Sequence, residues 1–214
     1  LTSSNKSIKI PSWLMPKSLH NKGNFIISLG ELCQWISERA MELGVDIFPG
    51  FPAQKYLTDQ SGRVIGIATG DMGIDKEGNQ KGTYTPGMDI LAKQTIFAEG
   101  ARGHLGKQLI KEFNLDEGKT PQHFAIGFKE IWEVDNDKHS PGDVVHSMGW
   151  PLKGGTSGGG FLYHFDNNRI AVGLIVDLNY SNPSHSPFQE FQQFKQHPSI
   201  KQFLESGKRV SYGA

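Results

Sequence analysis

A short apolar run that turns through glycines directly into an amphipathic segment is the feature that most constrains how this chain folds. The run covers residues 95–98, and Gly100 and Gly103 stand before a stretch in which Leu105 and Leu109 fall on one helical face. Glycine lacks a β-carbon, so the backbone can bend sharply and approach a ligand closely, and the first N–H groups of a helix attract negative charge. The pattern predicts a strand-to-helix turn against a nucleotide cofactor, and an ordinary tight turn is the equal alternative.

Composition excludes several classes of protein. The formal net charge is zero and 36% of the residues are hydrophobic, which fits a soluble globular body and gives no electrostatic reason to expect nucleic acid. No apolar run approaches the roughly 18 residues of a transmembrane helix. Cys33 is the only cysteine, so the chain can form neither an intrachain disulfide nor a four-thiolate iron–sulfur cluster by itself.

The first half of the chain has the pattern of helices alternating with short strands. Apolar residues at three- and four-residue steps predict a helix over 30–43, which Gly44 ends, and they place Cys33 in buried packing rather than in a nucleophilic role. The other predicted elements are a strand over 45–48, a hairpin that joins 56–57 to 64–68, a solvated turn at 75–80, a strand over 88–97 and a helix over 105–113.

The second half reads as an antiparallel sheet covered by helices. Strands rich in aromatic residues are predicted over 124–134, 144–150, 160–165 and 170–178, with Asn167 and Asn168 in a turn. Helices follow near 188–194 and 200–204. The whole therefore predicts an α+β fold, in which an α/β-type portion precedes the antiparallel sheet.

A glycine-rich loop lies between the second and third of these strands. Residues 154–160 contain five glycines in seven positions, which is costly to order unless the backbone must approach something closely. A phosphate-binding loop is disfavoured, because Phe161 and Leu162 replace the expected Lys and Ser or Thr. Tyr163 and Phe165 alternate with Leu162 along the strand, so only one set of side chains can line a pocket, and the aromatic residues fit a sheet core equally well.

The ionisable residues give no pattern of a catalytic acid or base, and none is assigned. Glu99 either caps the following helix, which is favoured, or hydrogen-bonds a cofactor hydroxyl. His104 fits a helix start at the surface and His164 a hydrogen bond within the sheet, and the histidines show no metal-ligand spacing. Trp13 belongs to a loop over 1–23 that either pins itself to a core or contacts lipid. Hydrolase chemistry is a weak interpretation, since Gly-x-Ser-x-Gly is absent.

A specific family likeness is carried by seven stretches that follow one another in order. They are residues 43–50, 66–74, 96–100, 103–109, 149–152, 161–164 and 197–200. Together they resemble the electron transfer flavoprotein–ubiquinone oxidoreductases, and the likeness covers residues 24–214. The resemblance implies a glutathione-reductase-like or hydroxylase-like flavoprotein fold. It implies FAD contacts at Glu99, Gly100, Ala101 and Gly103, and a ubiquinone headgroup held by the backbone of Gly158 and Gly159.

The resemblance also implies an organisation and a setting. Residues 1–118 are expected to be part of an FAD-binding domain, 119–205 a ubiquinone-binding domain and 206–214 a return to the FAD domain. The chain is expected to be an internal fragment of an enzyme of fatty acid oxidation. That enzyme is expected to take electrons from reduced electron transfer flavoprotein and to reduce ubiquinone. Its expected cofactors are FAD and a [4Fe–4S] cluster whose ligands lie outside this fragment. The parent is expected at a bacterial inner membrane or on the matrix side of the mitochondrial inner membrane, and the isolated fragment to be soluble and inactive.

Two other functions stay open. A related flavin-dependent reductase or hydroxylase of an isoprenoid or aromatic substrate would share the same architecture. The isolated chain is alternatively an apolar-ligand binding module without turnover.

Overall fold

The computed structural model describes all 214 residues, and the chain divides into two compact units. The first unit comprises Leu1–Trp35 and Gln122–Ala214, and the second comprises Ile36–Pro121. Helices and antiparallel sheets make up the regular structure, so the predicted α+β class is confirmed. In chain order the elements are α1 (Leu29–Glu42), β1 (Ala53–Thr58), β2 (Val64–Thr69), β3 (Met72–Ile74), β4 (Gln80–Thr85), β5 (Asp89–Leu91), α2 (His104–Glu112), β6 (Ala125–Glu133), β7 (Val144–Ser147), β8 (Gly158–Phe165), β9 (Arg169–Asp177), α3 (Pro187–Gln196), α4 (Pro198–Leu204) and β10 (Lys208–Gly213).

The first unit is built on a five-stranded antiparallel sheet with the strand order β10-β6-β9-β8-β7. Helices α3 and α4 cover one face of this sheet and form the main core with it. Ser186 caps α3 by accepting a hydrogen bond from the Gln189 amide, and Pro187 occupies the first helical turn, where its missing N–H costs nothing. The fully buried side chains of this core include Leu162, Ile170, Val172, Leu174, Val176, Phe191, Phe194 and Ile200.

The β8–β9 hairpin sets the register of the sheet. Its turn residues Asn167 and Asn168 have φ angles of 62° and 53°, in the left-handed region that asparagine tolerates better than most residues. The pairing that follows is regular from Phe165 opposite Arg169 to Gly158 opposite Val176. The turn predicted from the two asparagines is therefore confirmed, and it fixes which side chains share a face.

The second unit contains a three-stranded antiparallel sheet, in the order β1-β2-β5, and the separate β3–β4 hairpin. Asp59 closes the β1–β2 turn by accepting hydrogen bonds from the Ser61 and Arg63 amides at 2.9 and 3.1 Å. Asp75 does the same in the β3–β4 turn, where it accepts from the Glu77 and Asn79 amides. Both predicted turns are confirmed as solvated connections closed by a carboxylate.

Several details differ from the sequence predictions. The helix predicted over 30–43 is present, but Cys33 is exposed and no residue of α1 is buried, so the predicted burial is wrong. Residues 45–48 are irregular instead of a strand, and the strand predicted over 88–97 shrinks to β5. These segments have the composition of strands, but they lack a hydrogen-bonded neighbour over that length. Strand β10, which pairs with β6, was not predicted.

Candidate functional site

The two faces of the five-stranded sheet differ in what covers them. Leu162 and His164 of β8 point to the face beneath the helices and are fully buried. Phe161, Tyr163 and Phe165 alternate with them, so they lie on the opposite face, where each is half-buried. We call that opposite side the open face. Only one of the two alternate sets of β8 side chains is therefore available to a ligand, as expected from the sequence. This set is Phe161, Tyr163 and Phe165.

Small residues of β9 give the open face a shallow floor. Gly173 pairs with Phe161, and a β-carbon at Gly173 would lie 2.4 Å from the Phe161 ring. The ring therefore occupies space beside the neighbouring strand that only glycine leaves free. The Phe161 and Tyr163 rings have centroids 4.8 Å apart and form one aromatic surface.

The glycines at the start of β8 are required by close packing. A β-carbon at Gly158 would lie 2.2 Å from the Ile175 carbonyl oxygen, and one at Gly159 would lie 2.7 Å from the Ser147 carbonyl oxygen. Both distances are far below van der Waals contact, so these positions exclude larger residues whatever else they do. Gly158 is exposed and Gly159 half-buried, which leaves their backbone within reach of a ligand. Contact with a quinone at these two residues stays a prediction.

A cavity of about 240 Å³ lies at the other end of β8, away from the glycines. It is smaller than the roughly 300–1,000 Å³ of ordinary small-molecule pockets. Its walls combine residues before and within the start of α1 with residues at the β8–β9 turn. The lining residues include Ile26, Ile27, Leu32, Trp35, Phe165 and Arg169. This cavity is therefore not at the predicted headgroup position.

A histidine and a tyrosine meet on the open face. His146 of β7 pairs with Phe161, and its Nε2 atom lies 2.8 Å from the Tyr163 hydroxyl oxygen. Burial raises the pKa of the Tyr163 hydroxyl, which therefore keeps its proton at neutral pH. The sequence analysis missed this pair because it tested His146 only for metal-ligand spacing. The strand register, which brings residues 146 and 163 to one face, was the signal that could have found it.

The predicted cofactor turn lies in the second unit. Gly100 has a φ angle of 77° in open space, and Ala101 is exposed. The Glu99 carboxylate accepts hydrogen bonds from the Leu105 amide at 3.3 Å and the Gly106 amide at 2.6 Å. A β-carbon at Gly103 would lie 2.2 Å from that of Glu99, so glycine makes room for the capping side chain.

Glu99 thus caps α2, which confirms the structural role favoured from the sequence. Its negative charge occupies the position at the helix N-terminus that would otherwise suit a phosphate. The residues present do not fit a pyrophosphate bound at this helix end. The exposed backbone at Gly100 and Ala101 fits contact with an uncharged part of a cofactor.

Two further histidines, His164 and His104, have structural roles. His164 accepts a hydrogen bond at Nδ1 from the Ser140 amide at 3.1 Å, and its burial lowers its pKa, so it is neutral beneath the sheet. The hydrogen bond predicted for His164 is present, although it goes to a loop. His104 begins α2 at the surface, as predicted, 3.4 Å from Glu99. No group of three or more His, Cys, Asp or Glu side chains is arranged to hold a metal ion.

One buried ion pair lies between the sheet and α3. Lys195 donates to both carboxylate oxygens of Glu130 at 2.8 and 2.9 Å, and Trp132 and Arg209 donate to the same carboxylate at 2.8 and 3.2 Å. Burial alone would raise the pKa of Glu130, but the hydrogen bonds from Lys195 and Trp132 and the nearby positive charge hold it below its usual value. The pair links β6 to α3 and β10.

Comparison with known proteins identifies first a fold and then a family. A triple mutant of the flavin-dependent brominase Bmp2 superposes with a TM-score of 0.50 over 85% of this chain and 42% of that chain, at 12% identity, so the chain shares the fold of part of a flavin-dependent enzyme. Residues 124–214 match the family described as ETF-QO, ubiquinone-binding.

Relatives match nearly the whole chain. The electron transfer flavoprotein–ubiquinone oxidoreductase of Pseudomonas aeruginosa is 59% identical over 100% of this chain and 39% of its own length. The mitochondrial proteins of Arabidopsis thaliana and Homo sapiens are 50% and 48% identical over 94% and 96% of this chain, and 32% and 34% of their own lengths. The chain belongs to the electron transfer flavoprotein–ubiquinone oxidoreductase family and spans 32–39% of the length of these relatives.

Proposed function

We propose that this chain forms the ubiquinone site and part of the flavin domain of an enzyme that passes electrons from reduced electron transfer flavoprotein to ubiquinone. The observation that carries the proposal is the coincidence of two ranges. The residues that match the ubiquinone-binding family, 124–214, are those that build the five-stranded sheet with its open aromatic face. That face offers a flat, apolar surface to a quinone ring beside the exposed backbone of Gly158 and Gly159.

The chain's own contribution to such a reaction is positional. A quinone ring laid over Phe161 and Gly173 would be shielded from water on one side by aromatic and aliphatic groups. The two quinone carbonyl oxygens need hydrogen-bond donors. We propose that the backbone of Gly158 and Gly159 binds one of these oxygens. Binding on the open face would hold the ring at a fixed position, where the cofactors of the longer protein would supply the electrons.

We propose that the cofactor of the longer protein is FAD, in a glutathione-reductase-like or hydroxylase-like domain to which residues 1–118 contribute. Residues 206–214, whose strand β10 is the edge strand of the five-stranded sheet, would return the chain to that domain. Gly100, Ala101 and Gly103 would approach it through their backbone, while Glu99 holds α2 in place. A [4Fe–4S] cluster would be ligated outside this chain, which has a single cysteine. The quinone-binding part would then span residues 119–205.

We propose that residues 1–23 face the membrane in the longer protein, at a bacterial or mitochondrial inner membrane. Trp13 and Leu14 lie on a short 3₁₀ turn with 75% and 59% of their surface exposed. The first 30 residues contain four lysines and no Asp or Glu, a charge pattern that suits an anionic lipid surface. No helix in the structure combines the length and apolarity needed to span a bilayer.

The test of the quinone site must avoid the glycines, because Gly158→Val would disrupt the sheet through the contact with Ile175. Ile175 itself is a better position. It lies on the open face opposite Gly159 with 37% of its surface exposed. Val145 is 41% exposed and pairs with Leu162, so it belongs to the other face of the sheet. Ile175→Asp and Val145→Asp are therefore matched in exposure and differ in face.

The measurement is a titration of the 214-residue chain with a short-chain ubiquinone analogue, followed by tryptophan fluorescence after circular dichroism has shown that each variant is folded. Ile175→Asp should weaken binding about tenfold or more, because a carboxylate on the apolar floor must be desolvated, while Val145→Asp should stay within about twofold. Equal affinities for the two variants, or no saturable quenching in the wild type, would place the quinone elsewhere.

A further inference from the structure

The contact between His146 and Tyr163 suggests a chemical role that goes beyond holding a ring. Reduction of a quinone to a quinol consumes two protons along with two electrons. A site that receives electrons from a cofactor therefore also needs a proton donor near the quinone oxygens. Of the residues on the open face, Tyr163 and His146 form the only tyrosine–histidine pair in hydrogen-bond contact.

We propose that Tyr163 and His146 form the proton-donating pair for a quinone reduced on the open face. The inference rests on the proposed function. It assigns a role in proton transfer to two residues that are not among the proposed quinone contacts at Gly158 and Gly159. Tyr163 shares a face with Gly159 and lies four residues along β8, about 13 Å away at the rise of a strand, with Phe161 between them. Tyr163 and His146 therefore lie at the opposite end of the open face from Gly158 and Gly159, with Phe161 between them.

The two side chains differ in exposure in the way that a relay requires. The Tyr163 hydroxyl is partly buried, and that burial raises its pKa, so it holds its proton until a stronger base forms beside it. His146 is exposed to solvent, and its Nε2 atom lies 2.8 Å from the Tyr163 oxygen. Tyr163 is thus half-buried on the open face, and His146 is exposed to water.

The step balances as follows. The quinone would receive two electrons from the reduced flavin of the longer protein. The Tyr163 O–H bond breaks, and its proton forms an O–H bond with the nearer, now negatively charged, quinone oxygen. The Tyr163 oxygen takes the Nε2 proton of His146, which starts as imidazolium and ends as neutral imidazole. His146 regains a proton from water. The other quinone oxygen, at the exposed glycine end, takes its proton from water, which completes the quinol. Proton transfer between a tyrosine and a quinol is a transfer between two phenolic oxygens of similar acidity, which is favourable for general acid catalysis.

The test uses the flavin-loaded, full-length protein that contains this chain, reduced in advance and mixed rapidly with a short-chain ubiquinone. Tyr163→Phe should lower the rate of quinol formation about 100-fold, the scale of a lost general acid, while the dissociation constant for the quinone stays within about threefold. His146→Ala should lower the rate about tenfold, and added imidazole should restore it. A merely structural role for His146 predicts no rescue by imidazole.

Tyr180→Phe is the matched control. Tyr180 also lies against a histidine, with its ring 4.7 Å from that of His185, but it follows β9 and is not on the open face. Its loss should leave the rate unchanged. A Tyr163→Phe variant that reduces quinone at the wild-type rate would overturn the proton relay while leaving the quinone site intact. A Tyr163→Phe variant whose loss of rate is matched by loss of quinone affinity would also overturn it, because the hydroxyl would then serve only binding. A wild-type protein that forms no quinol would refute the proposed function, and the relay with it.

Discussion

Removal of Lys195 should destabilise the first unit strongly while leaving the open face intact. The Glu130 carboxylate is 4% exposed and the Lys195 side chain 10%, and Lys195 supplies two of the four hydrogen bonds to that carboxylate. Lys195→Met keeps the aliphatic bulk but leaves a buried negative charge with Trp132 and the partly exposed Arg209. Breaking a buried pair from one side costs about 3–5 kcal/mol, and because Arg209 remains we expect about 3 kcal/mol.

A double variant distinguishes the cost of leaving one buried charge unpaired from the net contribution of the ion pair to the free energy of unfolding. Glu130→Gln combined with Lys195→Met removes both charges. Replacement of a buried ion pair by uncharged groups of similar volume often changes stability little, so the double variant should lose only about 1 kcal/mol. The assay is urea unfolding of the 214-residue chain followed by circular dichroism. The reasoning is refuted if Lys195→Met costs less than about 1 kcal/mol, or if the double variant is less stable than the single one.

The same pair predicts an acid-sensitive contribution to stability. The pKa of Glu130 is lower in the folded protein than its ordinary value of 4.5. A carboxyl group with a depressed pKa in the folded state stabilises the fold above the unfolded-state value and loses that contribution as pH falls through the folded-state value. Stability of the wild type should therefore fall more steeply below pH 4.5 than that of Glu130→Gln, as measured by thermal unfolding across a pH series. Parallel curves would contradict the role assigned to Glu130.

Three further changes probe the local geometry. Gly160→Ala should cost about 1–3 kcal/mol, because its β-carbon would lie 2.3 Å from the Phe194 ring, and urea unfolding measures the loss. Glu99→Ala should destabilise the second unit by about 1 kcal/mol through loss of the α2 cap, seen as faster amide exchange at the start of the helix. Asn167→Val should cost about 1–2 kcal/mol and Asn167→Gly almost nothing, because only the valine is strained at a φ of 62°; equal melting temperatures would refute that explanation.

Sequence patterns were sufficient where structure is decided locally. The Asn167 and Asn168 turn, the periodicity of α2 and the alternation along β8 each depend on neighbours within a few residues, and all three were predicted. Cys33 shows the limit of this reasoning. Its spacing correctly placed it on the apolar face of a helix, but burial needs a second element against that face, and a pattern within one helix does not reveal whether one is present. The exposure of Cys33 is therefore a failure of packing inference, not of helix prediction.

Long-range pairing explains the other differences. Strand β10 is exposed along its whole length and has no strong alternation, so only its pairing with β6, more than 70 residues earlier, defines it as a strand. The contact between His146 and Tyr163 likewise depends on the β7–β8 register. Glycine-rich composition marked residues 154–160 as a place of close approach, but it did not distinguish approach by a ligand from approach by the neighbouring strands, and the structure shows that the latter is present at Gly158 and Gly159.

The open face is a more discriminating guide to function than the glycines. An antiparallel sheet with helices on one side ordinarily presents polar side chains to water on the other. Here β8 presents Phe161, Tyr163 and Phe165 on that side, and β9 presents Ile175. A surface of this kind is suited to an apolar occupant. If the occupant is a quinone, a charge at Ile175 reduces quinone affinity in the 214-residue chain and hardly changes its stability, because the side chain is already 37% exposed there. If the occupant is another part of the longer protein, the same charge leaves quinone binding unchanged and instead destabilises the full-length protein.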